Sequence, residues 1–151
     1  MKVALTYNLK KKDETKPADY FSEFDSEDTI SAITLALQKK GHTVEPVEVG
    51  RPNLFSYFRK NRVDMVFNIA EGDSGKFRES EIPAMLDYLN IPYTGSNTFS
   101  LALALNKALT KKILIAENIP TPCFQVFVKG NEELNPEMNF PLIVKPNREG
   151  S

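Results

Sequence analysis

Short apolar runs at residues 2–7, 43–49, 64–68 and 91–94 are each followed by a stretch with helical spacing, and that alternation leaves few architectures open. Strands joined through helices cannot pair as hairpins. They need crossover connections, and crossovers give a parallel sheet with helices over its faces. The first helix is predicted after Asp25 and Ser26, which offer an N-cap, with Glu27 and Asp28 at the positive end of the dipole. Ile30, Ile33, Ala36 and Leu37 then share one face, and Gly41 suits a left-handed C-terminal residue. A short helix is expected over residues 54–60, with Pro52 as punctuation before it. Another is expected over 80–89, where Ile82, Met85, Leu86 and Leu89 turn inward and Pro83 fits only within the first turn. Two more follow at about 98–105 and 107–117, with Asn106 as a cap between them. Residues 8–24 form a long polar loop, a length often tied to function.

After Pro120-Thr-Pro122 the rhythm changes. Residues 124–128 and 141–145 read as two strands without a helix between them, the opening of a second, antiparallel unit. The chain then stops at Asn147-Arg-Glu-Gly-Ser151, within what reads as a working loop, so a truncated chain is expected.

Composition narrows the function classes. Of 151 residues, 41% are hydrophobic and 26% charged, enough for a buried core without disulfides. Lys plus Arg number 19 against 20 Asp plus Glu, a net charge of -1 that argues against nucleic acid or an anionic membrane as partner. No apolar run approaches the roughly 20 residues of a membrane span, and the start does not read as a signal peptide. A cytoplasmic protein is expected. The single cysteine, Cys123, excludes an internal disulfide, and the single histidine, His42, leaves no histidine-based metal site.

Ligands of parallel sheets bind beyond the carboxyl ends of the strands, here Asn8, residues 68–75 and residues 94–97. Neither a G-x-x-x-x-G-K-[ST] loop nor a G-x-G-x-x-G after the first strand is present. Lys145 ends an apolar run beside a glycine loop and could face a phosphate; a strand-end lysine reaching solvent is the plainer reading of that segment alone. Lys107 opens a helix, where its charge opposes the dipole unless an anion lies near; alone, it too reads as a surface lysine. Asn68, Glu71 and Gly72 with Arg78, Glu79 and Glu81 could hold the ammonium and carboxylate of an amino-acid-like ligand, or could simply cap a helix.

Ile91-Pro-Tyr-Thr-Gly-Ser96, Ala102-Leu-Ala-Leu-Asn-Lys107, Thr110-Lys-Lys, Ile119-Pro-Thr-Pro122, Phe140-Pro-Leu-Ile-Val-Lys-Pro146 and Glu149-Gly-Ser151 follow one another in order along the chain. Together these segments resemble the D-alanine–D-alanine ligase family of ATP-grasp enzymes. Phe24-Asp-Ser-Glu-Asp-Thr29 and Phe67-Asn-Ile-Ala-Glu-Gly72 look like a ligase-like branch rather than the main enzyme. The resemblance implies an α/β fold: a parallel-sheet, Rossmann-like pre-ATP-grasp domain over residues 1–97, then the incomplete start of an ATP-grasp domain over 98–151. It implies ATP-dependent carboxylate–amine ligation by way of an acyl-phosphate. Lys107, Lys145 and Gly150 would contact ATP, Ser151 would act in the catalytic loop, and Glu27, Glu71 and Arg78 would contact substrate.

Magnesium is implied as well, with its ligands in a C-terminal half absent from this chain, so the 151 residues alone are expected to be inactive. Amino-acid or related carboxylate and amine substrates follow, and the resemblance allows for a homodimer through the N-terminal domain. The sequence departs from the family in two places. The stretch after the first strand holds no glycine before Gly41, which makes Glu27 a loose match. Glu71-Gly72 stands where the family has His-Gly, a change of charge and donor capacity that points away from D-alanine. The competing reading is a non-catalytic α/β module that binds a small acid or a partner. A phosphoacceptor domain fits less well, since no acidic pair follows the first strand.

Overall fold

The structure, a computed structural model, describes residues 1–11, 13–17, 20–50 and 53–149. Its elements run β1 (Lys2–Tyr7), α1 (Glu27–Lys39), β2 (Thr43–Glu48), α2 (Leu54–Lys60), β3 (Met65–Asn68), α3 (Arg78–Leu89), α4 (Thr98–Leu105) and α5 (Lys107–Ala116). The three strands form one parallel sheet in the order β2-β1-β3, the α/β architecture that the alternation predicts. Residues 1–102 make one compact unit and residues 103–149 a second.

In the first unit β1 is central. Its four consecutive residues Val3, Ala4, Leu5 and Thr6 are all buried, as expected of a strand covered on both faces. Ala4, Val47 and Val66 join Phe58 of α2 and Ile82 and Leu86 of α3 in one cluster, while α1 lies along β1 and β2. The α1 terminus forms as its sequence dictates. The Ser26 hydroxyl accepts the Thr29 N–H at 3.1 Å, and Gly41 adopts φ +82° just past the helix end.

Two expectations in this unit need correction. Helix α3 begins at Arg78 rather than Ser80, so Pro83 falls inside the helix and not in its first turn. Its ring is fully buried, and packing offsets the N–H that proline cannot donate. Residues 91–94 do not extend into a fourth strand. They make one parallel bridge, Val66 to Tyr93, held by Val66 N–H to the Pro92 carbonyl at 2.8 Å and Thr94 N–H to the Val66 carbonyl at 2.9 Å. Pro92 has no N–H to lengthen the ladder, and Gly95 at φ +98° turns the chain away.

In the second unit Asn106 caps α5 by accepting the Leu109 N–H at 3.1 Å. Among the described residues, 124–128 and 141–145 form no strand, which corrects the antiparallel pair expected from their apolar runs. A ladder needs a partner, and Ile143 and Val144 stand exposed without one. Local side-chain bonds order this stretch. Gln125 accepts the Asn135 N–H at 2.7 Å, and Glu132 gathers the N–H groups of Val128, Lys129 and Gly130 within 2.9 Å. Pro52, Gly150 and Ser151 lie outside the described residues.

Candidate functional site

The site is built where β1 and β3 end. Asn8, the first residue past β1, is 1% exposed and anchors the loop after β3. Its side-chain oxygen accepts the N–H groups of Glu71 at 2.9 Å and Gly72 at 3.0 Å, and its amide donates to Asp73 at 2.6 Å. Asn68 closes β3 in the same manner, accepting from the Thr6 hydroxyl at 2.7 Å and the Ala70 N–H at 3.3 Å. Gly72 is at φ +75°, where a side chain would also meet the Arg78 carbonyl carbon at 2.8 Å. Loop and helix therefore touch backbone to backbone at the root of α3.

That approach gathers charges. Arg78, the first residue of α3, is 8% exposed and ion-pairs with Glu23, with the Glu79 carboxylate 3.7 Å away. Glu71 is half-buried beside them. Burial, joined by the like charges of Glu79 and Glu23, pushes its carboxyl up to about 7 against the pull of Arg78. Asp25, which adds to the repulsion, is itself raised by burial. A carboxyl that titrates near neutrality can accept or donate a hydrogen bond according to what binds.

The carboxylate oxygens of Glu23, Glu71 and Glu79 lie within 4.8 Å of one another, close enough in principle for a cation. The donor set does not suit magnesium. The Arg78 guanidinium already sits within it, paired with Glu23 and 3.7 Å from the Glu79 carboxylate.

Of the sequence-predicted substrate residues, Glu71 and Arg78 come together, but Glu27 does not join them. It stands exposed in the first turn of α1, and Glu23 takes the place by Arg78. Sequence reading missed Glu23, which lies in a loop without period and meets Arg78 across 55 positions. It also gave Asn8 no role, although its place at a strand end was a signal. Lys107 begins α5 and its ammonium donates to the Glu149 carbonyl, which brings it to the segment that carries Lys145. Lys145 is exposed. Gly150 and Ser151, the remaining predicted site residues, are outside the described residues.

No protein-family model matches the chain. A D-alanine–D-alanine ligase of Syntrophotalea carbinolica is 36% identical over 123 residues, which covers 82% of this chain and 39% of that protein. The D-alanine–D-alanine ligase of Aquifex aeolicus is 36% identical over 124 residues, covering 82% and 42%. An uncharacterized protein, y4sG, of Sinorhizobium fredii is 34% identical over 125 residues, covering 78% and 37%. The chain thus spans about two-fifths of the length of the curated relatives it matches. A crystal structure of D-alanine–D-alanine ligase from Bacillus anthracis complexed with ATP shares the fold, with a TM-score of 0.66 over 98% of this chain and 48% of that one, at 23% identity. Among the described residues, no helix is long and apolar enough to cross a membrane. In sequence and in fold the chain is a relative of the D-alanine–D-alanine ligases, matching the N-terminal part of their structures.

Proposed function

We propose that this chain belongs to an ATP-dependent carboxylate–amine ligase of the cytoplasm, and that its first unit supplies part of the amino-acid site. The observation that carries the reading is the juxtaposition of Glu71, Arg78, Glu23 and Glu79 at the carboxyl edge of a parallel sheet, in a relative of enzymes named for joining two D-alanines. Glu71 and Arg78 offer opposite charges at one place, suited to the ammonium and carboxylate of an amino acid. ATP would supply the phosphoryl group that activates a substrate carboxylate as an acyl-phosphate, which a second substrate's amine then attacks.

Lys107 and Lys145 are described cations suited to its phosphates, and contact with ATP is proposed for Gly150 and a catalytic-loop role for Ser151 from the sequence. The backbone donors at the start of α5 are engaged within the chain: Lys107 and Ala108 by Asn147, Leu109 by Asn106. Phosphate recognition by α5 thus rests on the lysine ammonium rather than on the helix N-terminus. Since the described acidic cluster does not suit magnesium, the metal ligands are assigned to sequence beyond these residues, and the 151 residues alone are proposed to be inactive.

The test is steady-state kinetics on the full-length protein, following ADP release as the amino substrate is varied. Glu71→Gln is expected to raise the Michaelis constant for that substrate by about tenfold, the scale of one charge-assisted hydrogen bond. An unchanged constant would place Glu71 outside the site. Absence of amino-acid-dependent ADP release from the wild-type enzyme would remove the ligase reading itself.

A further inference from the structure

The loop between β1 and α1 carries more apolar surface than a connection needs. Tyr20, Phe21 and Phe24 meet edge to face, with ring centroids 4.9, 5.5 and 6.3 Å apart. With Leu9 and Val49 they wall a cavity of about 360 Å³ beyond the carboxyl ends of β1 and β2. That volume lies at the lower end of small-molecule sites, which run from about 300 Å³ upward. The Tyr20 hydroxyl reaches the Asp73 carbonyl at 3.4 Å, so the aromatic loop is joined to the same β3 loop that presents Glu71.

The polar groups around the cavity carry both signs. The Lys11 ammonium is held by Glu48 at 2.6 Å, and the Lys16 ammonium lies 4.7 Å above the Tyr20 ring. Opposite in charge, Asp73 is fixed by Asn8 at 2.6 Å. Gly50 lets that carboxylate approach, since a Cβ there would press on its Cγ at 3.2 Å. A molecule with both an ammonium and a carboxylate finds a partner for each, whereas a singly charged one leaves one sign unanswered. The rings of the aromatic wall carry no formal charge of their own. The wall answers a side chain much larger than a methyl group, because aromatic contact gains with the apolar area removed from water.

We propose that this cavity takes an amino acid with an aromatic or bulky apolar side chain, and that such an amino acid is a substrate of the ligase. The assignment to a substrate rests on the ligase reading above. The size preference rests on the cavity.

Binding of L- and D-phenylalanine and of L- and D-alanine to the 151-residue chain, followed by NMR, tests it. One phenylalanine enantiomer is expected to bind at least tenfold tighter than either alanine and to shift the ring resonances of Tyr20, Phe21 and Phe24. Tyr20→Ala, at a residue that is 39% exposed and so no pillar of the core, is expected to weaken phenylalanine binding about tenfold. Phe21→Ala provides a second reading should Tyr20→Ala unfold. Alanine binding as tightly as phenylalanine overturns the proposal, as does phenylalanine that leaves these rings unmoved. Full-length protein that releases ADP with alanine but not phenylalanine also overturns it and leaves the ligase reading intact. Phenylalanine binding at the rings with no ADP release from any amino acid sinks the ligase reading instead.

Discussion

The side-chain oxygen of Asn8 accepts the Gly72 N–H at 3.0 Å, tying the end of β1 to the loop after β3 across 64 positions. The same oxygen takes the Glu71 N–H, so its orientation is forced, and the Asn8 amide is left to donate to Asp73. One buried side chain thus sets the loop that presents Glu71. Replacement by leucine would strand two backbone donors in a dry site, at about 1–3 kcal/mol for each unsatisfied group. Asn8→Leu is expected to lower the urea midpoint by an amount equivalent to about 2–4 kcal/mol. Asn8→Asp keeps the acceptor but sets a carboxylate against Asp73, and should recover only part of the loss. A midpoint within error of wild type for Asn8→Leu would show that the loop holds itself.

Glu71 gives the chain a pH-dependent stability with a definite sign. Its carboxyl titrates near 4.5 when unfolded and about 7 when folded, so between those values the native state holds the extra proton. Stability from this group is complete below about 4.5 and is lost as pH rises through 7. The full shift would be worth about 3 kcal/mol, and solvent screening of a half-exposed group reduces that to about 1 kcal/mol. Thermal unfolding at pH 5 and pH 8 should show wild type losing stability relative to Glu71→Gln at the higher pH. Equal differences at both pH values would mean that Glu71 titrates normally.

Much of this fold is legible in local sequence, because its signals are local. Ser26 before two acids, an apolar stripe from Ile30 to Leu37 and a glycine at position 41 each act within a few residues, and α1 forms where they place it. Pairing is different. Residues 91–94 and 141–145 carry as much apolar character as β3, but a strand exists only where a neighbour presents matching donors and acceptors. Ile143 and Val144 find none among the described residues and stay exposed. The site divides in the same way. Glu71 and Arg78 were legible because seven positions of loop and helix start connect them, whereas Glu23 reaches Arg78 only through the tertiary fold.

Gly72 is the tightest point of the site. Its φ of +75° disfavours any side chain, and a Cβ would run into the Arg78 backbone, which cannot yield as a flexible side chain would. Gly72→Ala is expected to cost about 2–4 kcal/mol, more than conformational strain alone, and to push the start of α3 away from Glu71. A measured loss below about 1 kcal/mol would mean that loop and helix separate freely, and the Glu71–Arg78 geometry would then owe little to this contact.

Asn147 does for the second unit what Asn8 does for the first. Its carbonyl accepts the Lys107 N–H at 3.1 Å, its side-chain oxygen accepts the Ala108 N–H at 2.9 Å, and its amide donates to the capping oxygen of Asn106 at 3.1 Å. The first turn of α5 is thereby closed, and the segment carrying Lys145 and Glu149 is fastened to it. Asn147→Ala removes the Ala108 acceptor while the Asn106 cap remains, a loss of about 1 kcal/mol in the manner of a helix N-cap. Hydrogen exchange at Ala108 should quicken roughly fivefold, the factor that 1 kcal/mol gives to a local opening, with β1 amides unchanged. Asn147→Asp keeps the acceptor and adds a negative charge at the positive end of the helix, so it should exchange about as slowly as wild type. If Ala108 exchanges at the same rate in Asn147→Ala, its N–H is free in solution. Phosphate could then bind the first turn of α5 directly, without relying on the Lys107 ammonium.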